Sequence, residues 1–222
     1  MEDFIHLHVH THYSILDGQS KIPRLVDKAV KDGMKGMAIT DHGVMYGIKE
    51  FADYCAGVNK GRKKEGLEPF KPIFGCEMYV AHHRKESKSA SDGDKSGYHL
   101  IVLAKNFKGY KNLIKLVSRA WVDGFYFKPR TDRGDLEKYH EGIIALSGCL
   151  AGEIARKLVA RDYDGAKQTA LWYNSVFGQG NYYLEMQNHG LKEQLEIIPM
   201  LAKLSEETGI PLVATNDVHY VK

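Results

Sequence analysis

Phe4-Ile5-His6-Leu7-His8-Val9-His10-Thr11-His12 is the stretch on which the reading of the fold turns. In a strand, alternate side chains share a face, so this spacing sends His6, His8, His10 and His12 to one side and Leu7 and Val9 to the other. Same-face neighbours lie about 6.5–7 Å apart, which lets adjacent imidazoles converge on one metal ion or on two. An affinity tag would show consecutive histidines, and these alternate. The stretch therefore reads as a first strand, Phe4 to Val9, with metal-ligand chemistry on one face.

Outward from it, apolar runs and helical patterns alternate. A helix is expected next, with Ser20 as N-cap, Ile22, Leu25, Val26, Ala29 and Val30 on one face, and Gly33 at its end. Further strands are expected at Gly36–Thr40, Pro72–Val80, Tyr98–Ala104, Gly142–Leu146, Asn181–Gln187 and Pro211–Thr215. Helical patterns cover Ile48–Lys60, Tyr110–Trp121, Leu150–Ala160, Asp164–Phe177 and Leu191–Thr208. Strands separated by helices predict an α/β fold with a parallel sheet, either a closed barrel or an open doubly wound sheet. No glycine-rich nucleotide loop follows the first strand, which counts against the dinucleotide-binding form of the open sheet. Two segments break the rhythm. Residues 82–97 are polar and read as a loop, and 125–135 carry Lys128, Arg130 and Arg133 among Phe125, Tyr126 and Phe127. A barrel would want a closing helix after the last strand, so 1–222 is expected to be a single domain cut from a longer protein.

The 222 residues are 43% hydrophobic, enough for a sizeable core, and the net charge of +3 is too small to indicate nucleic acid by itself. Cys55, Cys76 and Cys149 are an odd and sparse set. The N-terminus lacks the order of a signal peptide, and no run approaches the ~20 apolar residues of a membrane span. A reducing, cytoplasmic setting without disulfides or membrane contact is expected.

The chemistry-bearing residues gather at strand ends. Thr40-Asp41-His42-Gly43 closes the second strand, at the edge where barrels place their reactive groups. Asp41 is either a turn residue or a partner that fixes an imidazole. Asp217-Val218-His219 follows the last strand with the same two-residue spacing as His8 and His10. Glu77 and His99 stand in apolar runs, where a charged group needs a partner, and a metal is one such partner. Asp17 in Leu16-Asp17-Gly18 fits a turn or a ligand. Cys149 in Ser147-Gly148-Cys149-Leu150 fits a thiolate ligand or a small apolar filler. His189 is expected to line the same mouth, while His82, His83 and His140 read as ordinary polar positions.

Together, His-Val-His-Thr at 8–11, Thr-Asp-His-Gly at 40–43, His99 in Tyr-His-Leu and Asn-Asp-Val-His at 216–219 resemble the motifs of the polymerase and histidinol phosphatase (PHP) superfamily. Residues 6–18, 109–113, 147–152 and 215–220 more narrowly resemble the PHP domain at the N-terminus of bacterial DNA polymerase III alpha subunits. The resemblance implies a distorted (β/α)7 barrel, here short of its last helix, with three divalent metal ions. Its metal ligands fall on His8, His10, Asp17, His42, Glu77, His99, Cys149, Asp217 and His219. His6 and His12 then become bystanders. It further implies a DNA-directed DNA polymerase as parent chain, with its nucleotidyl-transfer residues beyond this sequence. The domain itself would be a metal-dependent phosphoesterase or 3′–5′ exonuclease. The implied partners are DNA, the remainder of the polymerase chain and a proofreading exonuclease. A metal-braced scaffold and a stand-alone PHP phosphatase are the competing readings. An amidohydrolase fits less well, because the bridging lysine common on a middle strand of such enzymes is missing from Tyr98–Ala104.

Mixed imidazole, carboxylate and thiolate donors suit zinc, manganese or iron better than magnesium or calcium. Lys128 and Arg130 are candidates to neutralise phosphate or DNA oxygens, and Tyr126 and Phe127 to stack on bases. One tension stands: His99 is near the start of its strand, whereas metals should sit at the C-terminal edge. Either the strand boundary or the regularity of the barrel has to give way there.

Overall fold

The computed structural model describes residues 4–88 and 96–221. Its strands are β1 Gly36–Ile39, β2 Lys71–Val80, β3 Tyr98–Ala104, β4 Phe125–Tyr126, β5 Lys128–Thr131, β6 Ile143–Leu146, β7 Tyr182–Met186 and β8 Leu212–Ala214. Its helices are α1 Ile22–Lys31, α2 Ile48–Lys64, α3 Phe107–Val122, α4 Arg133–Tyr139, α5 Glu153–Val159, α6 Tyr163–Phe177 and α7 Lys192–Thr208. None of the described helices is long and apolar enough to cross a membrane.

One mixed sheet runs β4-β5-β2-β3-β6-β7-β8, and β1 pairs with the first half of β2. The N-terminal segment links the ends of the curl. Ala38 N donates to His6 O and Thr40 N to Val9 O on one side, while His10 N donates to Val218 O on the other. This segment makes only isolated bridges, His6 to Met37 and Val9 to Val218, rather than the regular strand its sequence predicts. A bend at His8 breaks the two-residue alternation. As a result Leu7 packs with Ile73, Ile144 and Tyr183, whereas Val9 packs with Ile22, Val26 and Phe51 beneath α1 and α2. His6 follows Val9 towards α1, facing Lys28 and Asp32, and so leaves the histidine row.

The expected all-parallel sheet is corrected at β3, which is antiparallel to both β2 and β6. This reversal removes the tension over His99. A strand running backwards presents its N-terminal end at the rim where its neighbours present their C-terminal ends. Tyr98 and His99 therefore pair with Val80 and Tyr79 at the end of β2. The segment 125–135, which breaks the rhythm of the sequence, forms the β4–β5 hairpin and the start of α4, capped by Asp132, whose side chain accepts from Asp135 N. Ser20 does not cap α1. Lys21 holds that position, Pro23 presets the first turn, and the Ser20 hydroxyl donates to His219 O. Of the expected loop 82–97, residues 89–95 lie outside the described ones.

Two apolar layers lie between sheet and helices, and a third, around Ala38, Ile101, Leu103 and Leu146, fills the lower part of the sheet's concave side. The layer behind β3 depends on a close approach at α3. A Cβ added at Gly109 would lie 1.7 Å from Gly142 O, part of the turn leading into β6. Backbone on both sides leaves no room to yield, so Gly109→Ala is expected to cost at least about 3 kcal/mol of unfolding free energy. Urea denaturation measures it, and a loss under about 1 kcal/mol would refute the packing argument.

Candidate metal centre

The upper part of the concave side is polar. Glu77, fully buried near the middle of β2, stands at its centre. Its carboxylate lies 2.9 Å from His99 Nδ1, 2.5 Å from His42 Nδ1, 3.4 Å from His8 Nε2 and 3.5 Å from His10 Nε2. Cys149, in the turn after β6, places Sγ 3.9 Å from Glu77 and 3.7 Å from His99 Nδ1. On the opposite flank, Asp217 Oδ1 lies 3.1 Å from His8 Nε2 and 3.3 Å from His10 Nε2. Asp17 closes the outer side, 2.6 Å from His42 Nε2 and 3.0 Å from His219 Nε2. The structure thus brings all nine sequence-selected donors into one continuous cluster.

Three overlapping trios within it have donor atoms mutually within 4.8 Å: His8, His10 and Asp217; His10, His42 and His219; His42, Glu77 and His99. Three buried atoms in the cluster, His42 Nδ1, Glu77 Oε2 and Asp217 Oδ1, have only other donor atoms of the cluster as close polar neighbours and make no well-oriented hydrogen bond. Buried polar atoms normally make well-oriented hydrogen bonds, so acceptors crowded around one centre in poor geometry fit a shared cation as their partner. Imidazole, carboxylate and thiol donors together match a transition-metal or zinc site.

A family model described as the PHP domain matches residues 6–189. The chain belongs to the PHP family. The DNA polymerase III subunit alpha of Borreliella burgdorferi is 48% identical to this PHP domain over 218 residues, covering 98% of the chain. That of Treponema pallidum is 44% identical over 219 residues, covering 99%. The chain spans only 18% of the length of either relative. In fold, the PHP domain is similar to a protein from Bifidobacterium adolescentis described as a metal-dependent phosphoesterase, with TM-score 0.54 and 15% identity, covering 99% of this chain and 89% of that one. It is also similar to an amidohydrolase from Chromobacterium violaceum, with TM-score 0.53 and 14% identity, covering 97% and 87%.

Around the donors of the PHP domain runs a ring of hydrogen bonds that selects imidazole tautomers. His8 Nδ1–H donates to Glu185 Oε1 at 2.7 Å. Ser14 gives its own proton to Asp41, so its oxygen accepts from His10 Nδ1–H at 2.9 Å and from His42 N–H at 3.1 Å. His219 Nδ1–H donates to the Asp217 carbonyl at 2.9 Å. In the neutral ring each bond leaves the Nε2 lone pair facing the cluster, the arrangement metal-binding histidines adopt. Of the two roles open to Asp41, a turn residue or a partner that fixes an imidazole, the second is not met by direct contact with an imidazole. Its carboxylate takes Thr11 N, the Thr11 hydroxyl and the Ser14 hydroxyl, and it acts on His10 only through Ser14.

The residues that sequence reasoning passes over are Ser14, Glu185, Gln187 and Thr215. Glu185 also accepts from Gly148 N, Gln187 and the Thr215 hydroxyl. Its signal is the one that selects Glu77, a carboxylate within a strand of apolar neighbours.

The charges settle accordingly. Burial pushes the Glu77 carboxyl up, but the charges of His99 and His8 and hydrogen bonds from His42 and His8 outweigh it and hold it well below the usual range. For His8, burial works against the cation, and the Glu185 and Glu77 carboxylates override it, raising the imidazole well above its ordinary value. Burial, reinforced by Glu77 and Asp217, pushes the Cys149 thiol upwards, and a bound cation would reverse that balance.

At the mouth, Lys128 is exposed, with Nζ 5.4 Å from the Tyr79 ring centre, and Tyr79 lies against both His42 and His99. Arg130 is not available to a phosphate. It is fully buried, and its guanidinium donates to the carbonyls of Lys85, Ser87 and Gly124, tying residues 85–87 to the hairpin. His12 stacks on Tyr13 outside the cluster, and His189 Nε2–H donates to Asn216 O, bracing the strand end beside Asp217.

Proposed function

We propose that this PHP domain holds a cluster of divalent ions, three of zinc, manganese or iron, on His8, His10, Asp17, His42, Glu77, His99, Cys149, Asp217 and His219. We further propose that it hydrolyses phosphodiesters at DNA 3′ ends. The observation that carries this reading is the set of three overlapping donor trios, whose buried acceptors face one another without well-oriented hydrogen bonds. Ions held there supply Lewis acidity to a phosphoester and lower the pKa of water. The chain's own residues do the rest. Glu185, Ser14 and the Asp217 carbonyl hold imidazole protons on Nδ1, so that His8, His10 and His219 present Nε2. Lys128 offsets charge on a phosphate oxygen at the mouth. The similarity to polymerase alpha subunits supports this chain being the PHP part of a bacterial replicative DNA polymerase. DNA, the rest of that polymerase and a proofreading exonuclease are its partners in this reading.

A second reading has support of its own. His8, His10, Cys149, Asp217 and His219 lie on segments outside the named strands, so a metal cluster would also brace those segments. Elemental analysis of the purified chain, with hydrolysis of a 3′-labelled oligonucleotide, tests both. His8→Ala and Asp217→Ala are each expected to lose metal and at least about 100-fold in rate. Unchanged metal and rate in both variants overturn the metal-site reading, and bound metal without hydrolysis leaves the bracing role alone.

A further inference from the structure

The mouth carries more exposed aromatic surface than a metal site needs. Trp121 is 40% exposed, Phe125 45% and Phe127 61%. Trp121 and Phe125 stack with ring centres 5.4 Å apart, and Phe127 sits at the tip of the β4–β5 hairpin. Phe127 is held there at a φ of 59°, a conformation that costs a non-glycine residue about 1–2 kcal/mol. Strain of this kind often accompanies function.

The patch is joined to the metal centre by contact. Trp121 Nε1–H donates to the carbonyl of Gly43, the residue after His42, at 2.8 Å. A Cβ on Gly43 would lie 2.7 Å from Pro129 of the hairpin and 3.1 Å from Tyr79, so the hairpin seats directly on the His42 turn. Lys128, next in the chain to Phe127, adds a cation over the Tyr79 ring. The loops bearing Asp17, His42 and His219 also expose Leu16, Tyr46 and Tyr220. A small phosphorylated metabolite would leave this rim unused. Aromatic faces interleaved with a cation, beside a phosphoester site, match the requirements of a single nucleic-acid strand.

We infer that Trp121, Phe125 and Phe127, with Lys128, form a base-stacking platform that delivers the end of a single-stranded nucleic acid to the His42, Glu77 and His99 side of the cluster. The inference rests on the phosphodiesterase reading for its direction, but its test does not need hydrolysis. In a Trp172→Phe background, Trp121 is the only tryptophan and reports stacking directly. A short oligothymidylate with phosphorothioate links is expected to quench its emission. Phe125→Ala and Phe127→Ala are each expected to weaken binding about tenfold, and an abasic strand of equal length to bind at least about tenfold more weakly. Both replacements are at exposed positions, and circular dichroism verifies their folding. If the abasic strand binds as tightly, or both alanine variants match the parent, the platform is refuted, and the patch is then a protein-docking surface or a purely electrostatic one. If strand binding and its dependence on Phe127 survive in a chain that neither holds metal nor hydrolyses DNA, the hydrolytic reading fails while the platform stands.

Discussion

Glu77→Gln is expected to strip the cluster of most of its metal and to lower phosphodiester hydrolysis by at least about a thousandfold. Among the carboxylates of the cluster, Glu77 meets the most imidazoles, four against three for Asp217 and two for Asp17. Its two oxygens lie within 3.5 Å of His8, His10, His42 and His99. The substitution keeps the shape of the side chain and removes the one fully buried negative charge at the centre. A neutral amide also offers one acceptor where the carboxylate offers two, and turns a donor towards imidazoles already placed to bind a cation. Metal content by elemental analysis and single-turnover hydrolysis together check the prediction. A variant retaining the parent's full metal content would show that Glu77 organises the imidazoles without ligating, and would reassign the centre to the flank of His8, His10 and Asp217.

Glu185→Gln tests a residue that belongs to no donor trio yet governs a member of one. Its carboxylate receives His8 Nδ1–H, Gly148 N–H, the Gln187 amide and the Thr215 hydroxyl. An amide cannot accept all four, and its own N–H groups would face donors. The expected result is a 10- to 100-fold loss of metal affinity, with a loss of stability of about 3 kcal/mol. Competition against a chromogenic chelator measures the first and urea unfolding the second. Coupling is the sharper criterion: in a His8→Ala background, Glu185→Gln should have little further effect on affinity. Full additivity of the two losses would mean that Glu185 acts on the fold rather than through His8.

Most of the donor set is legible in the sequence because its chemistry is local, while Asp17 and Cys149 join it only through the resemblance to PHP motifs. Histidines spaced by two, carboxylates inside apolar strands and His or Asp immediately after a strand each announce themselves within a few residues. Glu185 carries the same announcement as Glu77. It goes unread because a lone glutamate in Tyr182–Met186 lacks a neighbouring motif, while its partner His8 lies 177 residues away. Arg130 shows the opposite failure. In sequence it is a cation among aromatics near the mouth, and only the packing of residues 85–87 over it spends its guanidinium on carbonyls.

The sequence alone determined an α/β chain with strands and helices in a definite order, and marked side chains whose donor atoms suit a metal, because periodicity and side-chain type are local properties. The tertiary structure decided the direction of β3, and with it why His99 at the start of a strand shares a rim with residues at the ends of others. It also decided that the bend at His8 separates His6 from the histidine row, and that Asp41 reaches His10 only through Ser14. These depend on register and packing between segments far apart in the chain, where many local patterns are compatible and the fit of the whole core selects one.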